Sequence, residues 1–592
     1  MAEMVDKKRS SALDYRKKNR RKVLKTIVQS AILLVVGVLL VNALFGIRRY
    51  EEPDKSQWSN REGFIAISYF GVGRSSTPKL VAKSQLDQQL KALYDQGYVT
   101  ISQQDVTDFY LHDRPLPEKA LFLSFEDGRN DSSLFSQSLL EKYNYKATFF
   151  SYANKMGKSE RKFVQPKEML KMMKTGYWEL GTNGNRLTYI NIFDHHGSFI
   201  GMKDENEITN KEDIEYYNHY LMDFIRDENM IPAENRSEME TRIHSDYEAM
   251  KDTYTSKLGF VPQVYMIMHA NALNNGMNPL VAHANSANIE QLFSIHFNRE
   301  GDAFNSAAGD VFDLTRVQAA PYWYTNHLLM KIQKDTGEKM KFVRGEEQLA
   351  DPWQLVSGAA QFVDNRIILT SPPSAPGMLY LNNSESSQDA MISYKLSGNV
   401  VGKQTVYVRY DKSTEAFLRV VLENNELHIE QKKAGGKTER IFSSPLQPVG
   451  WSEEDLAFDK ASVYTKEQIV ANAGVKEEEE YPINIKQARE IQAELKGNLL
   501  TVTVDGDLIA DGQEFDGSIK SGGIALESEY STQNKKDDIY DGVFEDLEMM
   551  VLAEEDDKSN IVFSNKITGF QGIVHSIKKG LDASIDWVMD TF

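Results

Sequence analysis

Between residues 64 and 183 short apolar runs take turns with helical segments, and this alternation constrains the fold more than any other feature of the chain. "FIAISYFGV" (64–72), "KALFLSF" (119–125), "KATFFSYA" (146–153) and "YWELGTN" (177–183) read as buried strands. Between them, residues 84–98 place Leu86, Leu90 and Leu93 on one helical face, with Ser84 as N-cap, Asp87 three residues on and Gly97 as stop. Residues 132–143 and 165–176 read as two more helices. Strands that alternate with helices pair in parallel, as an open sheet or a barrel. Residues 188–234 are less regular. A helix over 237–259 then sets Met239, Ile243, Tyr247, Met250 and Tyr254 in a stripe that reads as core. "PQVYMIMHA" (262–270) and "QLFSIHF" (291–297) resume the strand pattern, and 325–335 is the closing helix.

Beyond this α/β region the period changes to two. "QTVYVRYD", "FLRVVLENNELHIEQKK", "NLLTVTVDGDLI", "GGIALESE" and "VFEDLEMMVL" are short alternating strands with Asn-Asn and Asp-Gly turns, the pattern of an all-β sandwich over 378–555. Residues 346–377 read as a linker, clearest at "SPPSAPG" (371–377). Residues 560–592 are expected to form an amphipathic helix, with Ile573, Ile577, Leu581, Ile585 and Val588 on one face. Its mixed-charge polar face favours packing on the sandwich or a partner over lying on a membrane.

The 592 residues carry a net charge of −18, which argues against nucleic acid as a partner. The charge is uneven: residues 1–25 hold ten Lys and Arg against Glu3, Asp6 and Asp14, so the remainder is near −25. This basic tail leads into "TIVQSAILLVVGVLLVNALFGI" (26–47), long enough as a helix to cross a hydrocarbon layer of roughly 30 Å. "NALFGIRRY" is a poor cleavage site, so an uncleaved anchor is expected rather than a signal peptide. The positive-inside rule makes 1–25 a cytoplasmic tail. The expected product is a single-pass bacterial membrane protein, with 50–62 as a stalk and the large acidic part outside. With no cysteine in the chain, disulfides and thiolate metal sites are excluded.

"FLSFEDGRND" (122–131) ends an apolar strand on two adjacent carboxylates, Glu126 and Asp127. Together with "ISYFGV", "QLDQQLKALYDQGYVTIS", "LPEKALFLSFEDG", "LEKYNYKATFF", "LFSIHFNREGDAFNS" and "DVFDLTRVQA", in that order, it resembles the NodB-homology polysaccharide deacetylases (carbohydrate esterase family 4). The resemblance implies a distorted (β/α) barrel over 63–345 and metal-dependent removal of acetyl groups from N-acetylglucosamine polymers. It also implies a base at Glu126, where the family has Asp, and a metal ligand at Asp127. The family's next motif supplies two histidines; here those positions hold Asn183 and Leu187, and no Arg-Pro segment is found near "YMIMHANALNNG". An amide is a poor zinc ligand and a leucine is none. No cofactor is therefore expected, and a divalent metal only if the site has been rebuilt with Asp127, His195, His196 or His269.

Tyr69, Trp178, Glu179, Asn183 and Asn185 are expected to bind sugar beside Glu126 and Asp127. "GNLLTVTVDGDLI", "SGGIALES" and "DGVFEDLEMMV" resemble concanavalin-like or laminin-G-like jelly rolls, a lectin-like domain. Two readings of function follow. In one, a membrane-anchored, deacetylase-like hydrolase acts on a cell-envelope polysaccharide or exopolysaccharide through a diverged site. In the other, a non-catalytic module binds that polysaccharide within an envelope synthesis or export assembly.

Overall fold

The computed structural model describes residues 48–77, 79–157, 162–208, 214–267, 277–385, 389–397, 402–447, 488–531, 538–552 and 560–567, with part of 22–37. The chain divides into two units, Met1–Glu51 and Glu52–Phe592. In the first, the described residues of 22–37 are helical. Most of the expected span 26–47 lies outside the described residues, and among those described no helix is long and apolar enough to cross a membrane.

The second unit opens with a barrel of seven parallel strands, β1 (Gly63–Tyr69), β2 (Ala120–Phe125), β3 (Ala147–Tyr152), β4 (Trp178–Gly184), β5 (Val264–Met266), β6 (Ile295–Glu300) and β7 (Leu314–Gln318). Each pairs with the next, and β1 closes the ring by pairing with both β2 and β7. Helices α1 (Lys83–Asp95), α2 (Gln103–His112), α3 (Asn130–Tyr143), α4 (Pro166–Met173), α5 (Arg236–Leu258), α6 (Pro279–Leu292) and α7 (Thr325–Thr336) make the connections and the outer layer. Alternation along each strand sends every second residue inward. The inward set Phe64, Ala66, Phe122, Phe150, Val264, Met266, Ile295, Phe297 and Leu314 fills the barrel as one apolar cluster.

Several local expectations are corrected. Helix α1 begins beside Ala82, with no side-chain cap from Ser84. The capping box belongs to Ser102 and Asp105, which start α2, a helix the periodicity did not indicate. The irregular stretch 188–234 contains a three-stranded antiparallel sheet, Thr188–Asp194 between Phe199–Asp204 and Ile214–His219. The segment 50–62 is not a free stalk: Lys55 pairs with Asp105 at 2.6 Å, the Asn60 amide donates to Leu116 O at 3.0 Å, and Trp58 packs against the barrel cluster. Its polar sequence hid backbone partners contributed by a segment more than fifty residues away.

The rest of the second unit is two antiparallel sheets. One runs in the order Trp353–Ser357, Gly377–Leu381, Gly523–Tyr530, Gly402–Tyr410, Phe417–Glu423, Glu426–Lys432, Glu439–Pro445. The other runs Ala359–Val363, Arg366–Thr370, Asp541–Val551, Ala390–Ser397, Arg489–Lys496, Leu499–Val504, Asp507–Glu514. Leu379, Val406, Leu418 and Ile429 of the first share one core with Phe362, Ile367, Ile392, Ile491 and Val502 of the second. The expected linker 346–377 is mostly sandwich: three of its segments are strands, because their apolar residues pair across both sheets, and only 371–376 connects. Residues Asn560–Ser564 are a strand paired to Asp541–Val551 rather than the start of a helix, and 568–592 lie outside the described residues.

Candidate functional site

At the C-terminal end of the barrel the inward positions change from apolar to polar. Ser68, Glu126, Tyr152, Asn183, Arg316 and Gln318 continue the inward alternation of β1, β2, β3, β4 and β7 and form a polar ring above the apolar layers. Glu126 sits in its floor, buried to 3% exposure. Its Oε1 accepts from Ser68 Oγ at 2.6 Å and Arg316 Nε at 3.1 Å, and its Oε2 from Arg316 Nη2 at 3.3 Å. Burial alone would raise this carboxyl, but Arg316, Ser68 and Gln318 outweigh it and hold Glu126 below the usual carboxylate range. Arg316 also meets Glu300 at 3.3 Å, so one buried guanidinium lies between two carboxylates.

Asp127 lies beyond the strand, in the left-handed conformation at φ 63°, which Asp tolerates better than most residues. Gly128 follows at φ +68°, where an added Cβ would stand 3.0 Å from Ser151 Cβ. These two residues turn the chain sharply out of β2 and keep the Asp127 carboxyl at the mouth. Among the described residues it pairs with Arg129, whose Nη1 is 3.6 Å from Oδ2. Burial, only partly offset by Arg129 and reinforced by Glu205, pushes Asp127 up to about 6. The adjacent acids are thus driven apart, Glu126 ionised and Asp127 titrating near neutrality, the pattern that divides acid–base roles between carboxyls.

The raised value has a consequence for stability. Its contribution is fully present below the unfolded value near pH 4 and is lost as pH rises through about 6. Asp127→Asn, which keeps the left-handed backbone, is expected to stabilise the chain by roughly 2 kcal/mol at pH 7 and by almost nothing at pH 3. Chemical unfolding at the two pH values measures it; a variant no more stable than the parent at pH 7 would refute the assignment.

Asn183, 3% exposed, accepts from the Asp127 amide at 3.3 Å and donates to Met266 O at 3.2 Å, tying β4 and β5 to the turn. Asn185 donates to Asp246 at 2.9 Å, just outside the ring. The other expected sugar contacts lie elsewhere. Tyr69 follows an inward residue and so points outward, where its hydroxyl donates to Gln89 at 2.8 Å. Trp178 opens β4 at the far end of the barrel; it packs on Phe125 and Phe149 and donates to Gln137 at 2.6 Å. Glu179, beside it, accepts from the Gln103 amide at the start of α2, at 2.8 Å. Proximity to motif residues in sequence suggested these three; strand length and facing direction remove them. Sequence reasoning missed Arg316, Ser68 and Tyr152. Counting in twos from Phe64, Phe150 and Leu314 would have found them.

His195 and His196 lie side by side at the tip of the 188–204 hairpin, ring centroids 3.8 Å apart and planes tilted by 50°. The base of that hairpin, at Tyr189 and Glu205, adjoins Asp127. Six residues of extended strand place the tip roughly 20 Å from it. His269 lies outside the described residues. Among the described residues the donors left do not fit the metal ion that the resemblance implies: both ends of the Asn183 amide are engaged, Leu187 is a buried hydrocarbon, and Asp127 faces Arg129.

Residues 113–258 match the family model described as polysaccharide deacetylase. The curated protein YxkH of Bacillus subtilis (strain 168), whose name places it among polysaccharide deacetylases, is 29% identical over 109 residues, 18% of this chain. The match spans 39% of that relative's length. Among solved structures, the Streptococcus pyogenes deacetylase PplD in complex with acetate covers 46% of this chain and 98% of its own at 15% identity, with a TM-score of 0.32. IcaB from Ammonifex degensii covers 44% and 93% at 16% identity, also with a TM-score of 0.32.

Proposed function

We propose that this chain, whose residues 113–258 match the polysaccharide deacetylase family model, acts on a cell-surface polysaccharide through a diverged, metal-free mouth centred on Asp127. Residues 26–47 anchor it in the bacterial cell membrane with the N-terminus inside, which presents the mouth to envelope polysaccharide or exopolysaccharide and to the proteins that make or export it. The observation that carries this reading is the polar ring itself. A barrel end kept only for packing fills with hydrocarbon, whereas this one holds two carboxyls whose titration is pushed in opposite directions, Glu126 down by Arg316 and Asp127 up by burial. Glu126 is committed to Arg316, so Asp127 is the group left to exchange protons with a bound substrate. Asn183 fixes the Asp127 turn, and Glu126 with Arg316 fixes the floor beneath it.

The test is acetate release from polymeric N-acetylglucosamine by the purified full-length chain in the presence of a chelator. Release is expected from the parent, falling at least roughly a hundredfold in Asp127→Asn, the usual scale of a lost general base. Binding of the polymer without any release would replace hydrolysis by a non-catalytic grip on the same glycan. Neither binding nor release would overturn the proposal.

A further inference from the structure

The loop that follows β3 is tied to the Asp127 turn. Arg129 makes an antiparallel bridge with Phe163, the Asn130 amide donates to Lys162 O at 2.8 Å, and the Val164 amide donates to Gly128 O at 2.9 Å. These bonds gather three cations at one side of the mouth. Lys155 Nζ stands 4.9 Å and Lys162 Nζ 5.1 Å from the centre of the buried Phe163 ring, with Arg129 on the segment bridged to it. All three are near enough to Asp127 for their charges to act on it.

The partners these cations have are loose. Arg129 Nη1 meets Asp127 at 3.6 Å, beyond hydrogen-bond distance, and its buried Nε has no partner among the described residues. Lys155, with a side chain only 8% exposed, likewise meets Glu205 at 3.6 Å. Other buried arginines are matched closely: Arg242 meets Glu234 at 2.7 Å and Arg419 meets Glu430 at 2.8 Å. Like charges held together repel, and a buried donor left unmatched is unfavourable. Phe163 holds two ammonium groups in place but neutralises neither. A counter-charge is missing from this wall.

We propose that Arg129, Lys155 and Lys162 bind an anionic group of the glycan, a carboxylate or a phosphate on the sugar beside the one at Asp127, so that the substrate is an acidic polysaccharide. This rests on the polysaccharide reading above and adds to it the charge of the substrate. The planar guanidinium matches either oxyanion in two directions at once, and the ammonium groups add point charges beside it. Glu205, 33% exposed in its side chain, turns to water as the anion takes its place. With a net charge of −18, the chain repels an acidic polymer over most of its surface. Attraction confined to the wall beside Asp127 therefore sets where the polymer docks.

The experiment titrates the full-length chain calorimetrically with three oligomers of equal length. One is neutral N-acetylglucosamine, one alternates N-acetylglucosamine with glucuronate, and one is phosphodiester-linked N-acetylglucosamine. The parent is expected to bind one acidic oligomer roughly tenfold more tightly than the neutral one, and which one it is separates carboxylate from phosphate. Added salt should erode that preference. Lys155→Met combined with Lys162→Gln should reduce it to about twofold or less, and Arg129→Gln should act in the same direction. Lys162 is exposed, so Lys162→Gln alone should fold as the parent does and still cut the preference by about threefold. If the neutral oligomer binds as tightly as both acidic ones, or every variant keeps the parental preference, the cations do not read substrate charge, and the polysaccharide reading stands without them. If the parent binds none of the three, that reading fails and this inference fails with it.

Discussion

Arg316→Met is expected to destabilise the full-length chain by about 3–5 kcal/mol, because it leaves the Glu126 carboxylate buried with no compensating charge. Burial, unopposed, would then drive the Glu126 carboxyl upward, so the loss should be smaller in acid, where a protonated Glu126 needs no cation. Glu300 loses the same partner, but at 40% side-chain exposure it can turn to water. The pair as a whole is a different matter. Glu126→Gln combined with Arg316→Met removes both charges, and buried ion pairs replaced together are often neutral in stability. Most of the lost stability should therefore return in the double variant. Denaturant midpoints of the two single variants and the double measure the coupling. Additive losses would show that Arg316 matters for packing alone.

The second large effect is expected at the joint between barrel and sandwich. Asp541 is 8% exposed and accepts three hydrogen bonds: from the Tyr324 amide at 3.0 Å, His327 Nδ1 at 3.0 Å and Thr370 Oγ1 at 2.6 Å. Trp323 stacks on His327 with centroids 4.5 Å apart, and Met330, Ala359 and Ile539 close an apolar cluster beside them. Asp541→Ala strands three buried donors and should cost about 3–5 kcal/mol, whereas Thr370→Val should cost only about 1 kcal/mol. Unfolding midpoints check the magnitudes, and limited proteolysis between 337 and 376 shows whether the joint has loosened. A cost under about 1 kcal/mol for Asp541→Ala would mean that the apolar contacts alone hold the two parts together. Tyr69 belongs to this side of the molecule: its hydroxyl bonds Gln89, whose Nε2 donates to Trp323 O at 3.1 Å. A residue expected at the sugar site supports the joint instead.

How much was legible in advance follows from which interactions are local. The strand–helix alternation gave the parallel pairing and left an open sheet or a barrel, since hydrophobic period is set by backbone geometry whereas closure depends on which remote strands meet. It failed where partners are remote. The segment 50–62 and the stretch 346–370 read as connectors because their neighbours in sequence are polar or turn-forming. Their actual partners, Leu116, Asp105 and the strands Gly377–Leu381 and Asp541–Val551, come from elsewhere in the chain.

The candidate site divides the same way. Sequence alone determined that Glu126 and Asp127 end an apolar strand, because this is a fact of identity and order. Only the tertiary structure decided what the two acids are. Glu126 is held ionised by Arg316, 190 residues away, and Asp127 is raised by burial in a turn whose left-handed backbone no periodicity encodes. The structure also decided that Tyr69 and Trp178 point out of the barrel and that Glu179 lies at its far end, while Tyr152 faces into the mouth. The causes are direction and position along the strand: a strand alternates its side chains between two faces, and closure of the barrel determines which face and which end become the site.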